Sequence, residues 1–454
     1  MAAEQRNKSE DQLTQRAAQN LSTLIGFRTV SLPDWQLVEQ AEFDAQRLAL
    51  EKMYPLTHSS LERERVGRNG LLFRWPGSRS GASRTLVLMA HLDVVPVDPD
   101  DSWQYPAFAG VQAEGYLWGR GALDDKGSAV AIFEAVESLL AQGFRPDSDV
   151  YLSFGADEEV GGEDAAAAVE LLAERGVQPW LVVDEGGAVA GQAFPGVSRD
   201  AAMIGVAEKG VLNVALRFKD PGGHSSTPPQ GGATARLARA ITRLDRHPFP
   251  VELHPESAKM LELFAAEMSG AARGLLSRAR RLRWPLARLL PFFGPEASAV
   301  VRTTTAVTQL SGSKAANALA ANASATVNFR IAVGSSVTET LRRLRRIIND
   351  SSVQIEVLES AEPSQVSASD GEQFNLLRET VHEVFPDVLV APYLVMAMTD
   401  SRHFDRLSKS VFRFAPFRMS AQERSALHAA NERISLDTLA EGVRFYRTLL
   451  GKLG

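Results

Sequence analysis

At 454 residues the chain is longer than one hydrophobic core usually supports, so two domains are the default expectation. Its composition, 44% apolar and 23% charged, is that of an ordinary globular enzyme, and a net charge of −6 argues against a general nucleic-acid binder, whose phosphate contacts need a basic face. There is no cysteine, which removes disulfides, thiol nucleophiles and thiolate zinc sites; any metal must be held by His, Asp and Glu.

Residues 1–21 are polar and charged without an apolar h-region, so no signal peptide is visible, and no run approaches the length of a membrane span. A cytoplasmic protein is the expectation. The first half then alternates short apolar runs with helical spacing, an α/β pattern. Residues 85–89 predict a buried strand ending at His91, and 128–140 a helix stopped by Gly143. Further strands are predicted over 150–154 and 181–183.

From about Gly210 the pattern changes. Residues 211–218 alternate as a strand with one solvated face, 233–244 read as a helix, 303–310 and 325–331 as strands, 337–348 as a basic amphipathic helix and 353–358 as another strand. Two helices and four strands suggest a small α+β layer inserted into the first domain, giving segments 1–206, 207–360 and 361–454, the last closing with a helix over 436–450. Within the insertion, 260–293 is rich in Arg and Leu with Trp284, Phe292 and Phe293. It reads as a packed helical pair with a solvated Arg face, or as an amphipathic flap touching a membrane surface or a fatty chain.

The polar residues of interest fall at or just beyond predicted strand ends, the carboxyl edge where open α/β sheets form their ligand crevice. In His91-Leu92-Asp93, alternation puts both polar side chains on one side, with Asp93 placed to accept the second N–H of a metal-bound imidazole. Gly119-Arg120-Gly121-Ala122-Leu123-Asp124-Asp125-Lys126-Gly127 offers carboxylates at a tight strand-to-helix turn and lacks the order of a phosphate loop. In Ala156-Asp157-Glu158-Glu159 the adjacent acids divide naturally into one ligand, Glu159, and one base, Glu158. Asp184 ends a strand in Asp-Glu-Gly-Gly, His224 sits in Gly-Gly-His-Ser-Ser-Thr-Pro-Pro, and His428 lies near the end in Leu-His-Ala-Ala-Asn-Glu. No single motif specifies a reaction. The set, in this order, supplies two His and three carboxylates, which two hydrolytic zinc ions need when one carboxylate bridges them.

This set resembles the M20 family of metallopeptidases and amidohydrolases, within it the subgroup of carboxypeptidase S and the N-fatty-acyl-amino-acid hydrolase/synthases. Subgroup-like stretches are Val301-Arg302-Thr303-Thr304-Thr305-Ala306, Ala325 through Ile331, Thr399-Asp400-Ser401-Arg402 and His428 through Ile434. The family's Asn-Val-Ile-Pro-like segment is altered to Ala316-Asn317-Ala318-Leu319-Ala320, which keeps the Asn but changes the turn after it.

The resemblance implies a zinc-exopeptidase-like mixed-sheet catalytic domain with an inserted α+β lid, and two Zn²⁺ per chain, with Co²⁺ or Mn²⁺ as alternatives. It implies that Asp124 bridges the ions, that His91 and Asp184 complete one shell and that Glu159 and His428 complete the other. A non-proline cis peptide at Asp124–Asp125 belongs to the same pattern. Asp93 then orients His91, Glu158 takes the proton of the attacking water and passes it to the leaving amine, and His224 donates to the oxyanion from the same chain or a partner. Arg330, with Asn317 and Arg402, would grip the substrate carboxylate. The substrate expectation is an N-acyl amino acid with a long apolar acyl group, the alternative a carboxypeptidase or dipeptidase acting on short peptides. A homodimer and peripheral lipid contact through 260–293 complete the expected partners, and nucleic acid is not among them.

Overall fold

The computed structural model describes residues 2–79 and 81–454, with side chains from residue 11 onward. At its centre lie three all-buried parallel strands, Val150–Gly155, Leu86–His91 and Leu181–Asp184. Their continuous apolar runs follow from burial on both faces. The pleat sends Leu86, Leu88 and Ala90 into one core and Val87 and Met89 into another on the opposite face. Helices Ala2–Ile25, Lys126–Ala141 and Leu436–Gly451 pack over the first face. Helix Glu163–Glu174 and the 3-10 segment Asp400–Arg406 cover the second.

Antiparallel strands Gly70–Trp75 and Glu62–Val66 extend this sheet on one side. On the other, Val411–Arg413 runs parallel to Leu181–Asp184, and Ala201–Glu208 follows with Leu389–Val395 parallel to it. The result is a ten-stranded mixed sheet. Among the described residues no helix is long and apolar enough to cross a membrane.

Ala201–Glu208 leads directly into Gly210–Lys219, a central strand of a four-stranded antiparallel sheet ordered Thr304–Ser311, Asn322–Ile331, Gly210–Lys219, Gln354–Ala361. Strict alternation of buried and partly exposed residues along Asn322–Ile331 marks a sheet with one covered face. Leu212, Val214, Leu216, Val327 and Phe329 form that face and pack beneath helices Ala233–Arg246 and Val337–Ile348. The opposite face carries Asn213, Asn328 and Arg330 around an open groove of about 630 Å³.

The Arg/Leu-rich stretch is not a helical pair within this small layer. Helix Pro255–Ala265 lies on strand Leu389–Val395 of the large sheet, and the short helices Gly270–Leu276, Arg283–Leu289 and Pro295–Val300 follow it. Their buried residues share a core with Met203 and Ala391 of the large sheet.

Candidate metal centre

Chain segments far apart in sequence meet at the carboxyl ends of the central parallel strands. His91 is the last residue of its strand and Asp184 the last of the neighbouring one. Glu158 and Glu159 form a 3-10 turn just past Val150–Gly155, and Asp124 lies just before helix Lys126–Ala141, in cis peptide linkage to Asp125. His428, with φ of 60°, occupies the turn between helix Ala421–Ala426 and strand Arg433–Ser435.

Donor atoms of His91, Asp124 and Glu159 all lie within 4.8 Å of one another. His91 Nε2 is 2.9 Å from Asp124 Oδ1, and His428 Nε2 is 3.0 Å from Asp124 Oδ2. One carboxylate thus stands between two imidazoles, an oxygen toward each. His428 Nε2 is also 3.3 Å from Glu159 Oε1, a buried oxygen that accepts no hydrogen bond among the described residues. Asp184 stands apart from these contacts and accepts the Ser401 N–H at 2.8 Å.

Two further carboxylates hold the arrangement. Asp93 Oδ1 lies 3.3 Å from His91 Nδ1 and accepts the Glu158 N–H at 3.2 Å. Its Oδ2 accepts the Ser31 hydroxyl at 2.6 Å and the Glu159 N–H at 3.2 Å. Asp93 therefore ties the histidine to the two glutamates. Glu432 does the same for Asp124: Oε1 accepts the N–H groups of Leu123 and Asp124 at 2.9 and 3.2 Å, while Oε2 meets the buried Arg120 at 2.7 Å. Ser31 and Glu432 were not singled out by motif reasoning. Glu432 was visible only as the fourth residue past His428, and Ser31 carries no sequence signal for this role.

The electrostatics follow from crowding. Against the effect of its own burial, hydrogen bonds to His428 and His91 hold the Asp124 carboxyl well below the usual carboxylate range. The same contacts with Asp124 and Glu159 raise His428 to about 10. Burial, reinforced by Asp400, Glu159 and Asp124, pushes Glu158 well above its ordinary range. Burial with neighbouring carboxylates does the same to Glu185 and Asp400. Buried acids so packed call for a cation. Imidazole nitrogen and carboxylate oxygens converging from His91, Asp124 and Glu159 fit a borderline ion such as Zn²⁺, Co²⁺ or Mn²⁺.

The residues expected to contact substrate take no part in these contacts. His224 is exposed, in a two-residue strand pairing Gly223–His224 with Ala318–Leu319, and its Nδ1 is 2.8 Å from the Ser226 hydroxyl. Asn317 joins it through its carbonyl, which accepts the Ser225 N–H at 3.1 Å. Arg330 lines the open groove of the four-stranded sheet. Arg402 donates to the carbonyls of Thr399 at 3.0 Å and Gly161 at 2.6 Å. Among the described residues none of these four makes a hydrogen bond or ion pair with His91, Asp124, Glu159 or His428.

The fold is similar to that of the M20 family metallo-carboxypeptidase Sso-CP2 from Sulfolobus solfataricus, with TM-score 0.69 and 17% identity over 95% of this chain and 98% of that one. It is also similar to the dipeptidase Dug1p of Saccharomyces cerevisiae, with TM-score 0.68 and 15% identity over 98% and 97%. In sequence the chain is 34% identical to "Probable carboxypeptidase S-like 2" of Dictyostelium discoideum over 95% of its length and 84% of that protein's. It is 35% identical to N-fatty-acyl-amino acid synthase/hydrolase PM20D1 of Homo sapiens over 88% and 80%. The model of peptidase family M20/M25/M40 matches residues 87–452, which spans every candidate ligand. With this much of its length in register, the chain is a metal-dependent peptidase or amidohydrolase belonging to peptidase family M20/M25/M40.

Proposed function

We propose that this chain hydrolyses the amide bond of N-acyl amino acids, with two Zn²⁺ ions held by His91, Asp124 and Asp184 and by Asp124, Glu159 and His428. The observation that carries this reading is the Asp124 carboxylate offering one oxygen to His91 and the other to His428. A carboxylate shared between two ions needs that disposition. Such ions supply Lewis acidity toward a carbonyl and acidify water. Glu158 is the general base. Its place in the turn that Asp93 ties to His91, next to Glu159, suits a group that takes a proton from water and returns it to the departing amine. Asp93 is a positioning residue, since it holds His91 and the Glu158–Glu159 turn together.

In this reading residues 207–360 act as a lid over the body formed by 1–206 and 361–454, with the Arg/Leu stretch anchored on the body side. His224 donates to the oxyanion, and Arg330 with Asn317 takes the substrate carboxylate. Their separation from the ligand group requires the small layer to close, or a second copy of the chain to supply His224. Arg402, engaged by two backbone carbonyls, joins the substrate grip only by releasing one of them.

The long-acyl preference draws its support from the relatives named N-fatty-acyl-amino acid synthase/hydrolase. The relatives named carboxypeptidase S-like favour the second reading, release of C-terminal amino acids from peptides. A panel of N-acyl amino acids of increasing chain length together with dipeptides, each assayed with and without chelator, separates the two. We expect the rate to rise with acyl length and to vanish with chelator; a preference for acetyl substrates or free dipeptides would remove the lipid-chain assignment.

A further inference from the structure

Residues 268–295 contain no Asp or Glu and six arginines, in a chain whose net charge is −6. These arginines, at 273, 278, 280, 281, 283 and 288, are all exposed. Arg280 pairs with Glu262 at 2.5 Å and Arg288 stacks over Trp284 at 3.3 Å. Among the described residues the other four make no ion pair. The same segment holds the most exposed aromatic side chains of the described residues: Trp284 at 70%, Phe292 at 86% and Phe293 at 71%. Leu289 beside them is also exposed.

This surface is mounted on folded structure. Leu276, Ala279, Leu286 and Ala287 turn inward and share a core with Phe264, Met203 and Ala391. Helix Arg283–Leu289 runs straight into the 3-10 turn Leu290–Phe293, which carries two aromatics at its end. Three solvent-facing rings within ten residues of chain mark an interaction site. A duplex would use the arginines and leave the rings in water, whereas single-stranded RNA would stack on the rings but calls for a basic groove that tracks its backbone, in a chain whose net charge is −6. A second copy of this chain, net charge −6, would answer the charge but gives the rings no apolar counterpart as a bilayer interface does. An anionic bilayer satisfies both, because rings settle at the headgroup level while basic residues gain from the negative surface potential.

We propose that Trp284, Leu289, Phe292 and Phe293 insert at the headgroup level of an anionic lipid bilayer, with the exposed arginines of 273–288 against its phosphates. The inference stands on this surface alone and does not rest on the acyl-chain reading.

The test is co-sedimentation of the full chain with phosphatidylcholine vesicles and with vesicles enriched in phosphatidylglycerol. We expect binding to the anionic vesicles only, weakened by salt, and lowered about tenfold or more by W284S/F292S/F293S. Hydrolysis of a water-soluble short-acyl substrate should be unchanged in that variant, so loss of docking is distinguishable from loss of catalysis. Should the triple variant fold poorly, charge reversal at two exposed arginines, R278E/R281E, provides the same readout. Wild-type protein left in the supernatant with anionic vesicles would overturn the proposal. So would equal binding to neutral vesicles, undiminished binding by both variants, sedimentation without vesicles, or a preference for duplex DNA or RNA over vesicles.

Discussion

The carboxyl end of the parallel sheet and the outer face of the four-stranded layer both carry residues singled out from sequence, but they are built in opposite ways. At the first, buried carboxylates reach across the chain: Asp93 binds Ser31 and the Glu158–Glu159 turn as well as His91 two residues back, and Glu432 binds Arg120 and the backbone ahead of Asp124. At the second, His224 leans on Ser226 two residues away, and Arg330 faces an open groove. The first region is preorganised by the fold. The second rests on local contacts and an open surface.

That contrast is broken most severely by taking the cation away. Chelation should abolish hydrolysis completely, while the large core, which does not run through the ligand group, keeps thermal unfolding cooperative; Zn²⁺ added back should restore activity. Full turnover by protein shown to be metal-free would end the reading of this site as a metal centre. Next in size is Glu158→Gln. It should lower kcat by roughly 10²–10⁴-fold at unchanged metal content, since a positioned base contributes about that much and Glu158 is not counted among the ligands. Loss of metal in this variant would instead make Glu158 a ligand.

The two regions also differ in how far their sequence announces them. His91, Glu159 and Asp184 were legible because each follows an apolar run short enough to be a buried strand, and strand ends converge in space in a parallel sheet. The four strands and two helices of the small layer were legible from alternation and helical spacing, within a residue or two except at the start of the third strand and the end of the last. Strands Gly70–Trp75, Ala201–Glu208 and Leu389–Val395 were not singled out. Buried or half-buried along their whole length, they lack the alternation that identifies a strand. The destination of 260–293 was equally hidden: its helical spacing marks an inner face without showing which sheet covers it, and that partner, Leu389–Val395, lies about a hundred residues on. Glu432 escaped notice for the same reason. Its partners Arg120 and Leu123 are brought to it only by tertiary structure.

Glu432→Ala tests whether preorganisation of the first region is energetic as well as geometric. It leaves Arg120 buried without its carboxylate, and removing one member of a buried pair typically costs about 3–5 kcal/mol. We expect a lower melting temperature together with weaker metal retention, because the same carboxylate holds the Asp124 N–H. A destabilised protein with unaltered metal affinity would separate the ion pair from the centre and leave Glu432 a purely structural residue.

The smallest expected effect belongs to the second region, and it is the most discriminating. His224 is exposed and makes no bond to the ligand group, so His224→Ala should change neither melting temperature nor metal content. If the small layer closes to bring this imidazole to the developing oxyanion, kcat should nevertheless fall about 10²–10³-fold with KM little changed, since one such donor acts mainly in the transition state. Mixing His224→Ala with Glu158→Gln chains then locates the donor. Activity regained in the mixture means that an intact His224 serves an intact Glu158 across two copies; activity that stays at the sum of the two variants places both in one chain. A His224→Ala protein as fast as wild type would confine the chemistry to the preorganised region and leave the small layer with substrate selection alone.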